Sequence, residues 1–323
     1  LSLIVGTHTL IQKSVQFYQL GLIVIDEQHR FGVQQRLKLQ QKGFHPHLLS
    51  MTATPIPRTL SLTLHGDLDV SQIDELPTGR KPIVTKVMTE KNRQKVNEVI
   101  RLNLALDHQA FVILPLVETS ETLELESVIE AYDRYQHQFP DDKVGLLHGQ
   151  MKVDEKQSAI AQFRNHETQI LVSTTVIEVG IDIPNATVIV IEHAERFGLS
   201  QLHQLRGRVG RGQAQSYCLL MNALDSTAAK ERLEVLERSQ DGFAIAELDL
   251  QLRGAGELLG TSQAGTPKFA LADLVKDGAI LEQARAAAAQ VVGKGERLRN
   301  WDQLLQEAAR RNHHKLNQDT ALN

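Results

Sequence analysis

A recurring pattern of short, β-branched apolar segments, each stopped by a turn or a polar residue, constrains this chain most. The segments run LIVGT, LGLIVIDE, HLLSMTAT, PIVTKVM, FVILPLV, KVGLLHG, QILVSTT, ATVIVIEH and YCLLM. Most are too short for helices and rich in Val, Ile and Leu, which marks buried strands. Between several of them lie helix-like stretches: residues 31–42, which end at Gly43 as an expected C-cap, and residues 90–107, with Val96, Val99, Ile100 and Leu104 at helical spacing. Residues 121–138 and 153–165 follow the same rule. Strands alternating with helices imply an α/β fold of parallel sheets covered on both faces. The segment PTGRKP, Pro77 to Pro82, is the expected linker between two α/β units. After about residue 222 the strand signal gives way to helix rich in Ala, Leu and charge. A Gly-rich interruption (RGAGELLGTSQAGTPKF) and an Ala-rich helix over 279–292 follow, and the last ten residues are polar and expected to fray.

A length of 323 residues suits roughly two domains. The formal charge of −4 supplies no global positive field, so any nucleic-acid contact must be local, from Arg, Lys, Thr and backbone N–H groups. The single cysteine, Cys218, cannot close an internal disulfide and lies in an apolar run, which fits a reducing cytoplasm. No apolar run is long enough to span a bilayer and no signal peptide opens the chain, so a cytoplasmic protein without a membrane partner is expected. The chain opens on Leu1 inside the strand-like run LSLIVGT, as a fragment would.

The chemistry-bearing residues gather at strand ends. In LGLIVIDEQHRFG, Asp26 and Glu27 close a buried strand, the place where open α/β sheets bind ligands. Asp26 can hold Mg²⁺ through water, and Glu27 can orient and deprotonate a water that attacks a γ-phosphate. Alone, such a pair is equally a loop start or an N-cap. In LLSMTATP, Thr52 and Thr54 could bridge the acid pair to a second domain or to DNA, or simply form an ST-turn. The sharpest local signal is QLHQLRGRVGRGQ, with Gln204, Gly207, Arg208, Gly210 and Arg211 spaced Q-x-x-G-R-x-G-R. On a helix the two arginines would point the same way. The glycines permit close backbone approach, and guanidinium groups match phosphate oxygens. Such arginines can act as fingers on a γ-phosphate, an effect worth ~10³–10⁵ in rate in other NTPases. A merely solvated basic helix would lose roughly 1 kcal/mol at each glycine with no return. Upstream, Ser173, Thr174 and Thr175 end a strand and suit a phosphate held without sequence readout. Gly180 and Asp182 follow in a VGID turn, where the Asp could contact a ribose or a finger arginine. His148 and Gly149 in GLLHGQM, and Gly6, Thr7 and His8 in IVGTHTL, suit contact with a nucleic-acid backbone or form plain loops. Their order decides between these readings. Acid pair, TAT, HG, TT…VGID and QxxGRxGR stand in that sequence, each at a strand end, across two α/β units.

This ordered set resembles the two RecA-like motor domains of superfamily 2 helicases and translocases over nearly the whole chain. DEQH resembles their acid box, TAT their coupling motif and QLRGRVGR their arginine-finger motif. The stretches DEQHRFGVQQR and MTATPIPRTLSLTLHGDLDVSQIDELPTGRKPI are similar to two bacterial families, RecG and the transcription-repair coupling factor. Gln28 and His29 after the acid pair follow RecG, since the coupling factor usually carries a third acid there. RLEVLERSQDGFAIAELDLQLRGAGELLGTSQAGTPKF resembles the helical hairpin and loop that the two families share, with Ala264 where RecG members usually carry Ser. The resemblance implies a double-stranded DNA translocase that reverses stalled forks and migrates Holliday junctions, with ATP and Mg²⁺ as ligands and branched double-stranded DNA as partner, acting as a monomer. It assigns His29, Arg232, Arg253 and Gln263 to the coupling network. Without it, helix capping and surface salt bridges would account for the last three.

The sequence departs from that family in one respect that matters. No G-x-x-x-x-G-K-[ST] occurs, and the one Gly-Lys, at Gly293–Lys294, lies in a helical region. Without that loop no backbone N–H cradle anchors a nucleotide beside Asp26 and Glu27. The wedge domain that splits junctions in RecG-like proteins is likewise missing from the chain. The expected organisation is therefore the second half of a first motor domain over 1–78, a second motor domain over 79–224, and a helical region over 225–323. The chain alone is expected to be inactive in hydrolysis, and its half-sheet to have exposed edges. A truncated DNA-binding remnant without catalysis is the alternative from another class, and an RNA helicase of the same superfamily is a third.

Overall fold

A computed structural model of the chain describes residues 3–28, 31–53, 69–71, 73, 75, 79–115, 121–174, 182–224, 226–253, 277–294, 303, 306, 307 and 310. The Gly-rich stretch after Arg253 and the last ten residues lie outside them. Among the described residues the strands are β1 (Leu22–Ile25), β2 (His47–Ser50), β3 (Val84–Met88), β4 (Gln109–Leu114), β5 (Val144–Leu147), β6 (Ile170–Thr174), β7 (Ala186–Ile191) and β8 (Tyr217–Met221). The helices are α1 (Val33–Gln40), α2 (Arg93–Leu104), α3 (Glu121–Gln138), α4 (Val153–Arg164), α5 (Leu199–Arg206), α6 (Thr227–Arg238), α7 (Gly242–Arg253) and α8 (Gly278–Lys294). Every strand pair is parallel.

β3 to β8 form one six-stranded sheet in the order β3-β8-β7-β4-β6-β5. Of its four inner strands, β4, β6 and β7 are buried at every residue and β8 at all but Tyr217, as a sheet covered on both faces requires. The pleat divides them. Phe111, Ile113, Leu171, Ile189 and Ile191 join Phe163 of α4, Leu202 and Leu205 of α5, Leu233 and Leu236 of α6 and Ile245 of α7 on one side. Ala110, Val112, Val172, Val188 and Val190 join Val96 and Ile100 of α2 and Val128, Ala131 and Tyr135 of α3 on the other. Gln109 is tolerated at 1% exposure because its amide donates to the carbonyls of Phe163 and Thr168, at 2.6 and 2.7 Å.

β1 and β2 pair alone, with Leu22 opposite His47 and Ile25 opposite Ser50. Only one face is covered. Ile23 and Ile25 are buried, while Leu22, Val24 and Leu49 are each more than half exposed. Two sequence expectations fail here. Residues 3–7 of LSLIVGT form no strand: Leu3 and Val5 are 80% and 87% exposed, because an apolar run becomes a strand only where a ladder receives it, and none of the described strands does. Gly43 does not cap α1, whose C-cap is Gln41. It is glycine because a Cβ there would stand 2.7 Å from the Leu20 carbonyl oxygen.

Leu1–Pro57 and Val70–Arg253 form one compact unit, and Arg58–Asp69 with Gly254–Asn323 a second. In the first, α6 and α7 pack their buried Leu233, Leu236 and Ile245 into the core of the six-stranded sheet. In the second, α8 is largely exposed along its described side chains. No described helix is long and apolar enough to cross a membrane.

Candidate functional site

The acid pair follows β1 directly. Asp26 Oδ1 accepts the Glu27 amide at 2.9 Å, which turns the chain sharply, and Glu27 takes a left-handed φ of 51°. The ladder continues past the strands: Met51 N donates to Ile25 O at 2.7 Å and Gln28 N to Met51 O at 2.9 Å. These bonds bring Asp26, Glu27 and the exposed Thr52 to one end of the β1–β2 sheet. His29 and Thr54 lie outside the described residues. Thr7 is exposed and begins a short 3-10 turn over His8–Ile11, and the His8 ring stacks on Phe31 at 4.3 Å.

The second group comes from the C-terminal ends of β5 and β6, the segment before β7, and α5 with the residues after it. His148 follows β5, and its amide donates to Met151 Sδ at 3.4 Å. Gly149 is exposed with open space where a Cβ would sit. Thr174 is fully buried at the end of β6, and its hydroxyl meets no hydrogen-bond partner among the described residues. Thr175 and Gly180 lie outside the described residues.

Gln204 is on α5, but Arg208 and Arg211 are not, contrary to the helix that their spacing suggests. α5 stops at Arg206 with Gly207 as C-cap, and Gly210 at φ +76° turns the chain away. The helix ends because Gly210 must pass close to a neighbour, its virtual Cβ lying 2.9 Å from Ile83 Cγ1. The buried Val209 pins the loop. Arg211 Nη1 meets Asp182 Oδ1 at 3.0 Å and its Nε donates to the Gly207 carbonyl at 3.3 Å. The structure thus assembles the acid pair with Thr52 in one cluster, and Asp182 with Arg211 in another.

Arg232 of α6 reaches back to the entry of α5, donating to Phe197 O at 2.9 Å and Glu195 O at 2.5 Å. The Arg253 side chain and Gln263 lie outside the described residues. Sequence reasoning missed two buried polar centres. Glu192, 4% exposed at the end of β7, holds Arg93 through both terminal nitrogens at 2.6 and 2.9 Å, Arg134 at 3.0 Å and the Tyr135 hydroxyl at 3.1 Å. Burial pushes the Tyr135 phenol well above its ordinary range. An acid ending ATVIVIEH was a signal of the same kind as the Asp-Glu pair. The other centre is Arg206, 3% exposed, for which the spacing of QLHQLRGR gave no sign. Among the described residues no group of three or more His, Cys, Asp or Glu side chains could hold a metal.

Two family models match along the chain: the helicase conserved C-terminal domain over residues 92–213, and the C-terminal part of domain 3 of the ATP-dependent DNA helicase RecG over 239–319. The ATP-dependent DNA helicase RecG of Synechocystis sp. is 62% identical over 289 residues, 89% of this chain and 35% of its own length. That of Bacillus subtilis is 48% identical over 293 residues, 90% of this chain and 43% of its own length. A solved RecG bound to a three-way DNA junction superposes with a TM-score of 0.67 at 45% identity, over 86% of this chain and 36% of that one. The chain therefore spans well under half the length of these relatives. Parallel α/β fold, helical hairpin and matched sequence agree, and the chain belongs to the RecG family, of whose sequence it holds the C-terminal portion.

Proposed function

We propose that this chain is the C-terminal part of an ATP-driven motor that moves along double-stranded DNA and remodels branched DNA, reversing stalled forks and migrating Holliday junctions. The observation that carries the reading is the 45% identity with a RecG bound to a three-way DNA junction. In this scheme residues 1–78, 79–224 and 225–323 are half of the first motor domain, the second motor domain and the translocation region.

Glu27 orients and deprotonates the attacking water. Gln204, Arg208 and Arg211 close on the γ-phosphate, and Gly180 and Asp182 bind the nucleotide. The Asp182–Arg211 pair at 3.0 Å is then a resting contact that the nucleotide displaces. Thr7, His148, Gly149 and Thr175 meet the DNA backbone, and Thr174, buried in this structure, joins them only when the end of β6 is uncovered. His29, Thr52, Thr54, Arg232, Arg253 and Gln263 pass the closure on. Mg²⁺ bound with ATP would supply charge neutralisation at the phosphates. The single exposed carboxylate of Asp26 suits an ion that keeps most of its waters and phosphate ligands, and suits no self-standing metal site.

The phosphate-binding loop is not in these 323 residues, so the isolated chain is expected to turn over no ATP. The test is ATP turnover by the full-length gene product with a three-way DNA junction, linear duplex, single-stranded DNA and duplex RNA. Strong stimulation by the junction supports the reading. Equal stimulation by RNA would transfer the chain to RNA helicases, and no turnover with any nucleic acid would leave a DNA-binding remnant.

A further inference from the structure

Arg206 ends α5 and is almost fully buried, yet no carboxylate pairs with it among the described residues. Its guanidinium is committed to three main-chain carbonyls and one imidazole nitrogen. Nη1 donates to the carbonyls of Leu236 and Ser239, both at 2.9 Å, and Nη2 to the carbonyl of Gln240 at 3.4 Å and to His203 Nδ1 at 2.9 Å. Leu236 lies in the last turn of α6, and Ser239 and Gln240 belong to the turn into α7. A helix C-terminus carries orphan carbonyls and partial negative charge, which lets a guanidinium be buried there without a counter-ion. Burial lowers the Arg206 pKa, and it pushes His203 down to about 4, so the imidazole is neutral and accepts through Nδ1.

The same turn reaches a third element. Gln240 Nε2 donates to the Ile83 carbonyl at 2.7 Å, and Gln215 Nε2 to the Pro82 carbonyl at 2.8 Å. Pro82 closes the PTGRKP segment, and Ile83 is the last residue before β3. Gly210 of the finger segment lies on that isoleucine, with no room for a Cβ. The triangle is closed: the residue that opens the finger segment grips the hairpin turn, the hairpin turn grips Ile83, and Ile83 touches the finger segment.

Apolar contacts of Leu205, Leu233, Leu236 and Ile245 already hold the hairpin to α5. Apolar packing tolerates sliding, whereas hydrogen bonds weaken steeply with angle and so fix register. We propose that Arg206, seconded by Gln240, is a positioning residue that makes segment 207–211, the α6–α7 turn and the linker exit at Pro82–Ile83 move as one piece. A displacement of the finger arginines is then delivered to the linker between the two α/β units as well as to the hairpin. The use of this junction rests on the motor reading; its geometry does not.

Two measurements separate them. The first is amide hydrogen exchange on the 323-residue chain, comparing wild type, Arg206→Met and Gln240→Ala. Gln240 is exposed, so its truncation spares the core. Both variants should speed exchange at 207–211 by about fivefold or more, although Gln240 bonds to no residue there. Unchanged exchange at 207–211 in Gln240→Ala overturns the junction. The second uses the full-length gene product. Arg206→Met should keep DNA-stimulated ATP turnover within about twofold while junctions remodelled per ATP fall about fivefold or more. Arg206→Lys, a cation that cannot fork between carbonyls, should fall between. Parallel loss of turnover and remodelling would make Arg206 merely structural and overturn the proposal. A wild type without DNA-stimulated turnover would sink the motor reading, and exchange would still decide the junction.

Discussion

Glu27 holds a left-handed backbone at φ 51° directly after a parallel strand, a conformation that costs a non-glycine residue roughly 1–2 kcal/mol. The strain falls on the residue that leaves the strand end, and Asp26 Oδ1 accepts its amide. In the full-length gene product, Glu27→Gln should still bind ATP but hydrolyse it ~10²–10⁴-fold more slowly, as loss of a general base would. Near-normal turnover in a single-turnover assay removes the base assignment. Gly210→Ala must accept both φ +76° and a contact with Ile83, so a loss of about 1–3 kcal/mol is expected from urea unfolding. A third prediction concerns His203, held at about 4 by burial and then by the Arg206 charge, against an ordinary value near 6.5. The unfolded chain binds the proton first. Stability from this group is full above pH 6.5, drains as pH falls toward 4, and amounts to on the order of 2–3 kcal/mol. Denaturant midpoints from pH 7 to 4 should therefore drop less in His203→Gln than in wild type; an equal drop refutes the shift. Asp26 and Glu27 were legible in sequence because acids at a strand end advertise themselves. Arg206 was not, because its partners are backbone carbonyls thirty or more positions on, which any residue could supply.

The strands were legible wherever a buried ladder enforces them. β4, β6 and β7 follow FVIL, ILVST and ATVIVI because covered faces select uninterrupted apolar residues. LSLIVGT misled because apolar content alone does not supply a partner strand, and the finger helix misled because Gly207 and Gly210 end it at Arg206. Two parallel strands with Leu22, Val24 and Leu49 exposed are marginal by themselves. Hydrogen exchange on this chain should show β1 and β2 exchanging by local opening, at least ~10²-fold faster than β4 and β7, whose protection should approach global stability. Equal protection would mean that the small sheet is held by more than its own ladder.

The six-stranded sheet and its covering helices make the larger cooperative body, and the hairpin belongs to it. Leu233, Leu236 and Ile245 are 0–1% exposed, and each such burial is worth roughly 1.5–3 kcal/mol. Against the ~5–15 kcal/mol of a typical domain, their removal is decisive. A chain of residues 79–253 should unfold in one sharp urea transition, and a chain of 79–224 should give none; matching midpoints would make the hairpin a docked appendage. The edge strand β3 has a further consequence. Its outward Val87 amide is taken by the Glu237 carboxylate, and the Ile83 and Pro82 carbonyls leading into it are taken by Gln240 and Gln215. A sheet border whose Val87 amide and two lead-in carbonyls are already taken by side chains is a poor template for an incoming strand, so this flank resists domain swapping and fibril growth.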